Sequence, residues 1–406
     1  MKLSEELAWR GFVNQTTYKD PSALDGDPIN FYWGVDPSAP SMQVGNLAMA
    51  MMVRHFIAHG HKAFLLVGGA TGMIGDPDGK STERELKTLD EIAVNKAGIT
   101  EQYKRVFADQ PFDIVDNYDW FKDLGYLNFL RDVGKHMPMS QMLGRDFVQT
   151  RLNDGGISYA EFSYALIQGY DFVHLYKEKE VTLQVCGSDQ WGNSIAGVDM
   201  IRRMTGGEAH VWSGPLVINK TTGVKFGKSE DGAVWLDEKL TSVYKFYQFW
   251  LNVDDNGVED YLKIYTMFGK EELDGLMAEF NSDRAARKSQ KVLAYEVTKI
   301  VHGQQRADGV VKVTNVLFGD GNFLELNEQE LEMLKREIPS VNAAEDVYQT
   351  MVDSGLASSK SEARNFVASG AVSVNGQKIN AEQAPQLQNG ANLLKRGKNS
   401  FAIVNK

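Results

Sequence analysis

The chain has 406 residues, 43% of them apolar, and a formal net charge of -11, which is material for roughly two to four domains with sizeable cores. The acid excess excludes a chain that coats nucleic acid along its whole length. A single cysteine, Cys186, excludes an internal disulfide framework and a cysteine-cluster zinc site and sets a reducing, cytoplasmic compartment as the expectation.

Met1 to Asn30 reads as a mixed arm of one helix and a loop. It has no apolar leader core, and no later window is apolar enough to span a bilayer, so no membrane partner is expected. Phe31 to Val35 is a β-branched and aromatic strand, broken by Asp36-Pro37-Ser38. Ser41 is read as the N-cap of a helix running to about Gly60. Gln43 and Asn46 share a face of its first turn, and Gly45 allows a ligand close to the backbone. Such a helix N-terminus favours an anion. Ala63 to Val67 is a fully apolar run that suits a buried parallel strand. Further strands are predicted near Phe112 to Val115 and over Val181 to Cys186. Helical patterns separate them, which predicts an α/β domain with a mainly parallel sheet and ligands at the carboxyl ends of its strands. Trp120 to Phe162 interrupts the alternation as an insertion. Asp237 to Phe318 is helical throughout, with Leu293, Val297, Ile300 and Val301 on the helical period. Gly319 to Pro339 reads as a linker. From Ser340 a compact unit follows, with a Ser359/Glu362 capping box, a helix stop at Gly370 and a type I′ hairpin signal at Asn375-Gly376.

Three constellations carry chemistry. The Gly-rich corner from Gly68 to Lys80 fits neither the P-loop spacing nor G-x-G-x-x-G. Lys80 and Arg84 lie one helical turn apart just beyond it, as a basic loop over polyphosphate or as a solvated face. On the second, Tyr164, Gln168 and Asp171 fall at i, i+4 and i+7, so phenol, amide and carboxylate share one helix face and could hold an amino-acid ammonium and a hydroxyl. The third is Lys225-Phe226-Gly227-Lys228, whose lysines suit polyphosphate neutralisation. Each stretch alone is also explained by an ordinary corner, an amphipathic helix or a surface turn.

Taken together in order, the stretches Tyr32 to Pro37, Val67 to Pro77, Glu161 to Tyr164, Gln168 to Phe172, Gly187 to Asn193 and Lys225 to Ser229 resemble a class I aminoacyl-tRNA synthetase of the bacterial tyrosyl type. The similarity covers essentially the whole chain. It implies a Rossmann-like parallel-sheet catalytic domain over 1–236 with a dimer-forming insertion at about 120–162. It further implies a helical anticodon-side domain over 237–318, a linker over 319–339 and a small C-terminal α+β RNA-binding domain over 340–406. The reaction it implies joins L-tyrosine to tRNA-Tyr through tyrosyl-adenylate, with ATP and magnesium as substrate, no protein-bound metal, and a homodimer. Tyr32 and Asp171 match the positions that hold the substrate phenol. Tyr164, Gln168, Asp76 and Gln190 match the rest of the tyrosine pocket. Gly34, Asp36, Ser38, Gly45, Asp189 and Lys228 match the ATP side, and Lys80, Arg84, Lys225 and Lys228 the mobile groups around pyrophosphate. Lys360, Arg364, Lys378, Lys395, Arg396 and Lys398 would meet tRNA phosphates.

One departure from the family pattern stands out. Gln43-Val44-Gly45-Asn46 occupies the place of His-Ile-Gly-His. Amide N–H₂ groups can donate where neutral imidazoles donate, so activation is expected to be retained. Trp33, where a small residue is usual, is expected to press toward the ATP ribose. The competing readings are an RNA-binding paralogue that has lost activation through Gln43, Asn46 and Trp33, and a tryptophan-specific relative.

Overall fold

The computed structural model describes residues 1–77, 86–154, 156–229, 232–380 and 387–406. They form two compact units, Met1–Thr241 with Trp250–Leu293, and Ser242–Phe249 with Ala294–Lys406.

The first unit is built on β1 (Gln15–Thr16), β2 (Asn30–Val35), β3 (Lys62–Val67), β4 (Asp113–Asp116), β5 (Val181–Gly187) and β6 (His210–Gly214). They lie in the order β1-β6-β5-β2-β3-β4. All neighbours are parallel except β1, which runs antiparallel to β6. Every residue of β3 after Lys62 is buried, as a strand covered on both faces requires. The order reverses between β2 and β5, which opens a crevice at their carboxyl ends. A small hairpin, β7 (Lys228–Ser229) with β8 (Gly232–Ala233), stands apart from this sheet.

Helix α1 (Val44–Ala58) follows β2, α2 (Leu89–Val106) follows the Gly-rich corner, α3 (Tyr159–Lys179) precedes β5, and α4 (Trp191–Thr205) follows it. Helices α3 and α4 cross closely. A Cβ on Gly169 would lie 2.7 Å from the Met200 sulfur.

Two local expectations are corrected. The N-cap of α1 is Gln43, not Ser41. The Ser41 hydroxyl is engaged elsewhere: it accepts from Gln102 Nε2 at 2.9 Å and from the Asp237 N–H at 3.1 Å. The fourth strand runs one residue later than predicted, because Asp116 pairs with Val67 while the Phe112 ring packs on Phe107. Trp33 is 4% exposed with its ring against Tyr103 of α2, 5.5 Å between centroids. Trp33 also lines the cavity at the carboxyl ends of the strands.

In the second unit, β9 (Ser340–Asn342), β10 (Val372–Val374), β11 (Gln377–Lys378), β12 (Ala391–Arg396) and β13 (Ser400–Asn405) form a sheet in the order β11-β10-β12-β13-β9. Asn375 and Gly376 have φ of +48° and +81°, as the type I′ turn requires. Helix α5 (Lys360–Ala368) is capped by Ser359, whose Oγ accepts the Glu362 N–H. The Glu362 carboxylate closes on Ser358 rather than Ser359, at 2.6 and 2.7 Å, so the predicted box is shifted by one residue.

Candidate active site

The carboxyl ends of the strands deliver polar groups to one cavity of about 790 Å³. From β2 and the turn after it come Tyr32, Gly34, Asp36 and Ser38. From the start of α1 come Gln43, Gly45 and Asn46. From α3 come Tyr164, Gln168 and Asp171. Asp76, Asp189, Gln190 and Lys225 also line it. Lys80 and Arg84 lie outside the described residues, and of Lys228 only the backbone, in β7, is described.

The deep end is a hydroxyl trap. Asp171 is 2% exposed, and its carboxylate accepts from Asn117 Nδ2 at 3.1 Å and Trp120 Nε1 at 2.9 Å. Burial pushes its pKa well above the usual carboxylate range, and these two donors act against that rise. The Tyr32 hydroxyl is buried with no partner among the described residues, as is Gln168 Oε1. Burial raises the Tyr32 phenol well above its ordinary value, with Asp171 contributing. A buried polar atom left unpaired costs about 1–3 kcal/mol, so these two atoms mark where a polar ligand belongs.

A second network braces the middle. Tyr164 donates to Asp36 Oδ2 at 2.7 Å, and Thr71 donates to Asp36 Oδ1 at 2.6 Å. Asn117 Nδ2 also donates to Thr71 Oγ1 at 2.9 Å, and Asn117 Oδ1 accepts the Ala70 N–H at 2.6 Å. Gln190 donates to Asp76 at 2.6 Å. A Cβ on Gly68 would sit 2.1 Å from Asp36 Oδ1 and 2.3 Å from Thr71 Oγ1, which is why this corner carries glycine. Cys186 also faces the cavity. Its thiol is 4% exposed, accepts a 3.4 Å contact from Ser194 Oγ, and is pushed up to about 12 by burial.

At the mouth, Gly227 (φ +102°) lies against Val44 and Gly45, and its carbonyl accepts the Val234 N–H at 3.0 Å. Phe226 stacks on Tyr261 at 4.2 Å. The lysine-bearing loop is therefore seated over the N-terminus of α1, where backbone amides favour anions.

Asn117, Trp120 and Thr71 were missed in the sequence. The available signal was position: Asn117 directly follows β4, at the edge where such sheets bind ligands.

The six basic residues of the second unit differ in setting. Arg364, Lys378 and Lys398 are exposed, with Arg364 over the Tyr348 ring at 5.4 Å. Lys360 pairs with Asp346 at 3.1 Å. Arg396 lies over Phe366 and donates to Ser400 Oγ at 3.0 Å. Lys395 is half-buried and donates to the Leu317 carbonyl at 2.9 Å. No helix among the described residues is long and apolar enough to cross a membrane.

Comparison with known proteins gives concordant results. A family model described as tRNA synthetases class I (W and Y) matches residues 24–319. A second, described as the tyrosine--tRNA ligase SYY-like C-terminal domain, matches residues 330–404. The chain is 41% identical over 396 residues to a tyrosine--tRNA ligase of Limosilactobacillus reuteri, covering 95% of this chain and 94% of that one. It is 42% identical to tyrosine--tRNA ligase 2 of Bacillus cereus, covering 93% and 92%. A C-terminally truncated mitochondrial tyrosyl-tRNA synthetase of Aspergillus nidulans superposes with a TM-score of 0.71 at 30% identity, over 78% of this chain and 94% of that one.

Proposed function

The chain belongs to the class I tRNA synthetases of the W and Y branch, and from that premise we propose how its residues carry out tyrosine--tRNA ligation. Its activity is that of its curated relatives: tyrosine is activated with ATP to tyrosyl-adenylate and then joined to tRNA. The observation that carries the residue-level reading is the buried hydroxyl trap, with the unpartnered Tyr32 hydroxyl and the Asp171 carboxylate at the deep end of one cavity.

The substrate phenol enters between Tyr32 and Asp171. Its ammonium lies near Tyr164, Gln168, Asp76 and Gln190. The tyrosine carboxylate is itself the nucleophile toward the α-phosphorus of ATP, so no side chain has to take a proton from it. Catalysis is positioning and charge stabilisation. ATP, as its magnesium complex, lies along Gly34, Ser38, Gly45 and Asp189, with Asp36 bracing the floor through Thr71 and Tyr164. Gln43 and Asn46 donate to the phosphates, and Lys80, Arg84, Lys225 and Lys228 gather the departing pyrophosphate. Phenylalanine would bury the Tyr32/Asp171 pair unsatisfied, so rejection needs no editing site.

The domain roles follow the same reading. Residues 120–162 form a homodimer face, supported by the exposed Tyr126, Leu127, Met139 and Tyr159 (61, 77, 59 and 62% exposed). The helical segment over 237–318 serves the anticodon side, 319–339 links, and 340–406 binds tRNA-Tyr, in a cytoplasmic setting. Tyrosine-dependent ATP–pyrophosphate exchange tests the reading, with tryptophan and phenylalanine as controls. Exchange with tyrosine alone is the expected result, and exchange with none of the three would overturn it.

A further inference from the structure

The phenol-binding carboxylate is held by a side chain that is itself held by another. Trp120 stands outside β4 at the root of the insertion, and its indole N–H reaches Asp171 Oδ1 at 2.9 Å. The indole has no other donor, so beyond that one bond the ring is held by packing. What lies on it is the His174 imidazole, with centroids 4.4 Å apart and planes within 16°. His174 follows Asp171 by three residues on α3, so one helix carries both the acceptor and the ring that steers its donor. The Tyr170 ring lies 6.5 Å from His174 on the same helix.

We propose that His174 is a positioning residue for tyrosine selection: by stacking on Trp120 it sets the angle at which the indole N–H meets Asp171. The inference rests on the ligase reading above. Without a flat ring at position 174 the indole can tilt, and a tilted N–H loses its bond steeply with angle. Among the described residues, Asp171 would then keep Asn117 Nδ2 as its donor. A buried carboxylate short of one donor is a poorer acceptor for a phenol, because its ionised form is less supported. ATP lies at the other end of the cavity and should not sense the change.

The test uses the full chain and the variants His174→Ala, His174→Leu, His174→Phe and Trp120→Phe. Isothermal titration with L-tyrosine gives affinity without any turnover, and exchange kinetics give the KM for tyrosine and for ATP separately. His174→Ala and His174→Leu are expected to weaken tyrosine about tenfold while the KM for ATP stays within about twofold. His174→Phe restores most of the tyrosine affinity, because it keeps the plane without the imidazole nitrogens. Trp120→Phe, which removes the N–H itself, weakens tyrosine at least as much as His174→Ala. Should His174→Ala fail to fold, the contrast between Leu, which fills the space, and Phe, which stacks, decides the matter. Unchanged tyrosine affinity in the Leu variant, an equal loss for ATP, or no rescue by Phe would each overturn the proposal. A wild type that binds tyrosine but shows no exchange would overturn the ligase reading alone, and the titrations would still judge His174.

Discussion

The Asn46 side-chain oxygen accepts the backbone N–H of Gln43 at 3.0 Å. That bond engages the amide oxygen at the helix end and leaves the N–H₂ its donors, and both residues line the cavity. An asparagine at this position therefore combines two jobs, capping α1 and donating toward a ligand. The two can be separated by substitution. Asn46→Asp keeps the cap oxygen and loses the donor, so its thermal stability should match wild type while single-turnover adenylate formation slows by about tenfold or more. Asn46→Ala should lose both. An Asn46→Asp enzyme of full rate would show that the amide serves only the helix.

Asp171→Asn keeps the volume of the phenol site and removes its charge. The KM for tyrosine is expected to rise by roughly ten- to a hundredfold with the KM for ATP little changed. Tyr32→Phe should narrow the preference for tyrosine over phenylalanine. Steady-state exchange with both amino acids measures each effect, and equal losses for tyrosine and ATP would remove Asp171 from the phenol site.

How much of this was legible in the chain depends on the range of the interaction. Strands β2, β3 and β5 announce themselves through apolar and β-branched runs, and the α3 stripe through its spacing, because these signals are local. Ser41 misled because its local sequence suits an N-cap, whereas Gln102 and Asp237, remote in the chain, claim its hydroxyl. The Trp33 ring likewise finds a partner remote in the chain, Tyr103 of α2. Asn117 and Trp120 acquire meaning only once the strand order places the end of β4 beside α3.

Lys228→Ala should slow adenylate formation by about a hundredfold, the scale of one lost transition-state charge contact, with tyrosine affinity unchanged. Pre-steady-state quench measurements with saturating tyrosine read this directly. A wild-type rate would contradict a role for Lys228 in the transition state.

Acid sensitivity should arise where the helix Leu3–Arg10 packs on α1. Glu6 faces Arg10 at 2.8 Å, His55 at 3.2 Å and His59 at 2.7 Å. Burial, with Arg10 and Arg54 nearby, pushes the His55 imidazole down to about 4 despite its bond to Glu6. An imidazole depressed on folding stabilises the fold in full above about pH 6.5, and that contribution is lost as pH falls toward 4, on the order of 2 kcal/mol. Glu6, held below the usual carboxylate range, adds a further loss at lower pH. Urea unfolding at pH 7 and pH 5 should show the drop, and His55→Phe should flatten it.

The triple variant Arg364→Ala, Lys378→Ala, Lys398→Ala should leave tyrosine-dependent exchange intact and weaken tRNA charging. Its salt dependence should fall by a slope of roughly two to three if each side chain meets a phosphate. Lys395→Met should lower that slope by less than an exposed lysine does, because Lys395 is half-buried and already donates to the Leu317 carbonyl. Charging at the wild-type level by the triple variant would remove these residues from the RNA surface.

The Cys186 thiol is buried, and it is the sole cysteine of the chain. To a maleimide dye the native protein is effectively blank. A cysteine introduced at the exposed Lys398 would be the one reactive handle. A fluorophore there could report RNA arriving at the C-terminal unit while the adenylation chemistry proceeds unlabelled, without first stripping any native thiol from the chain.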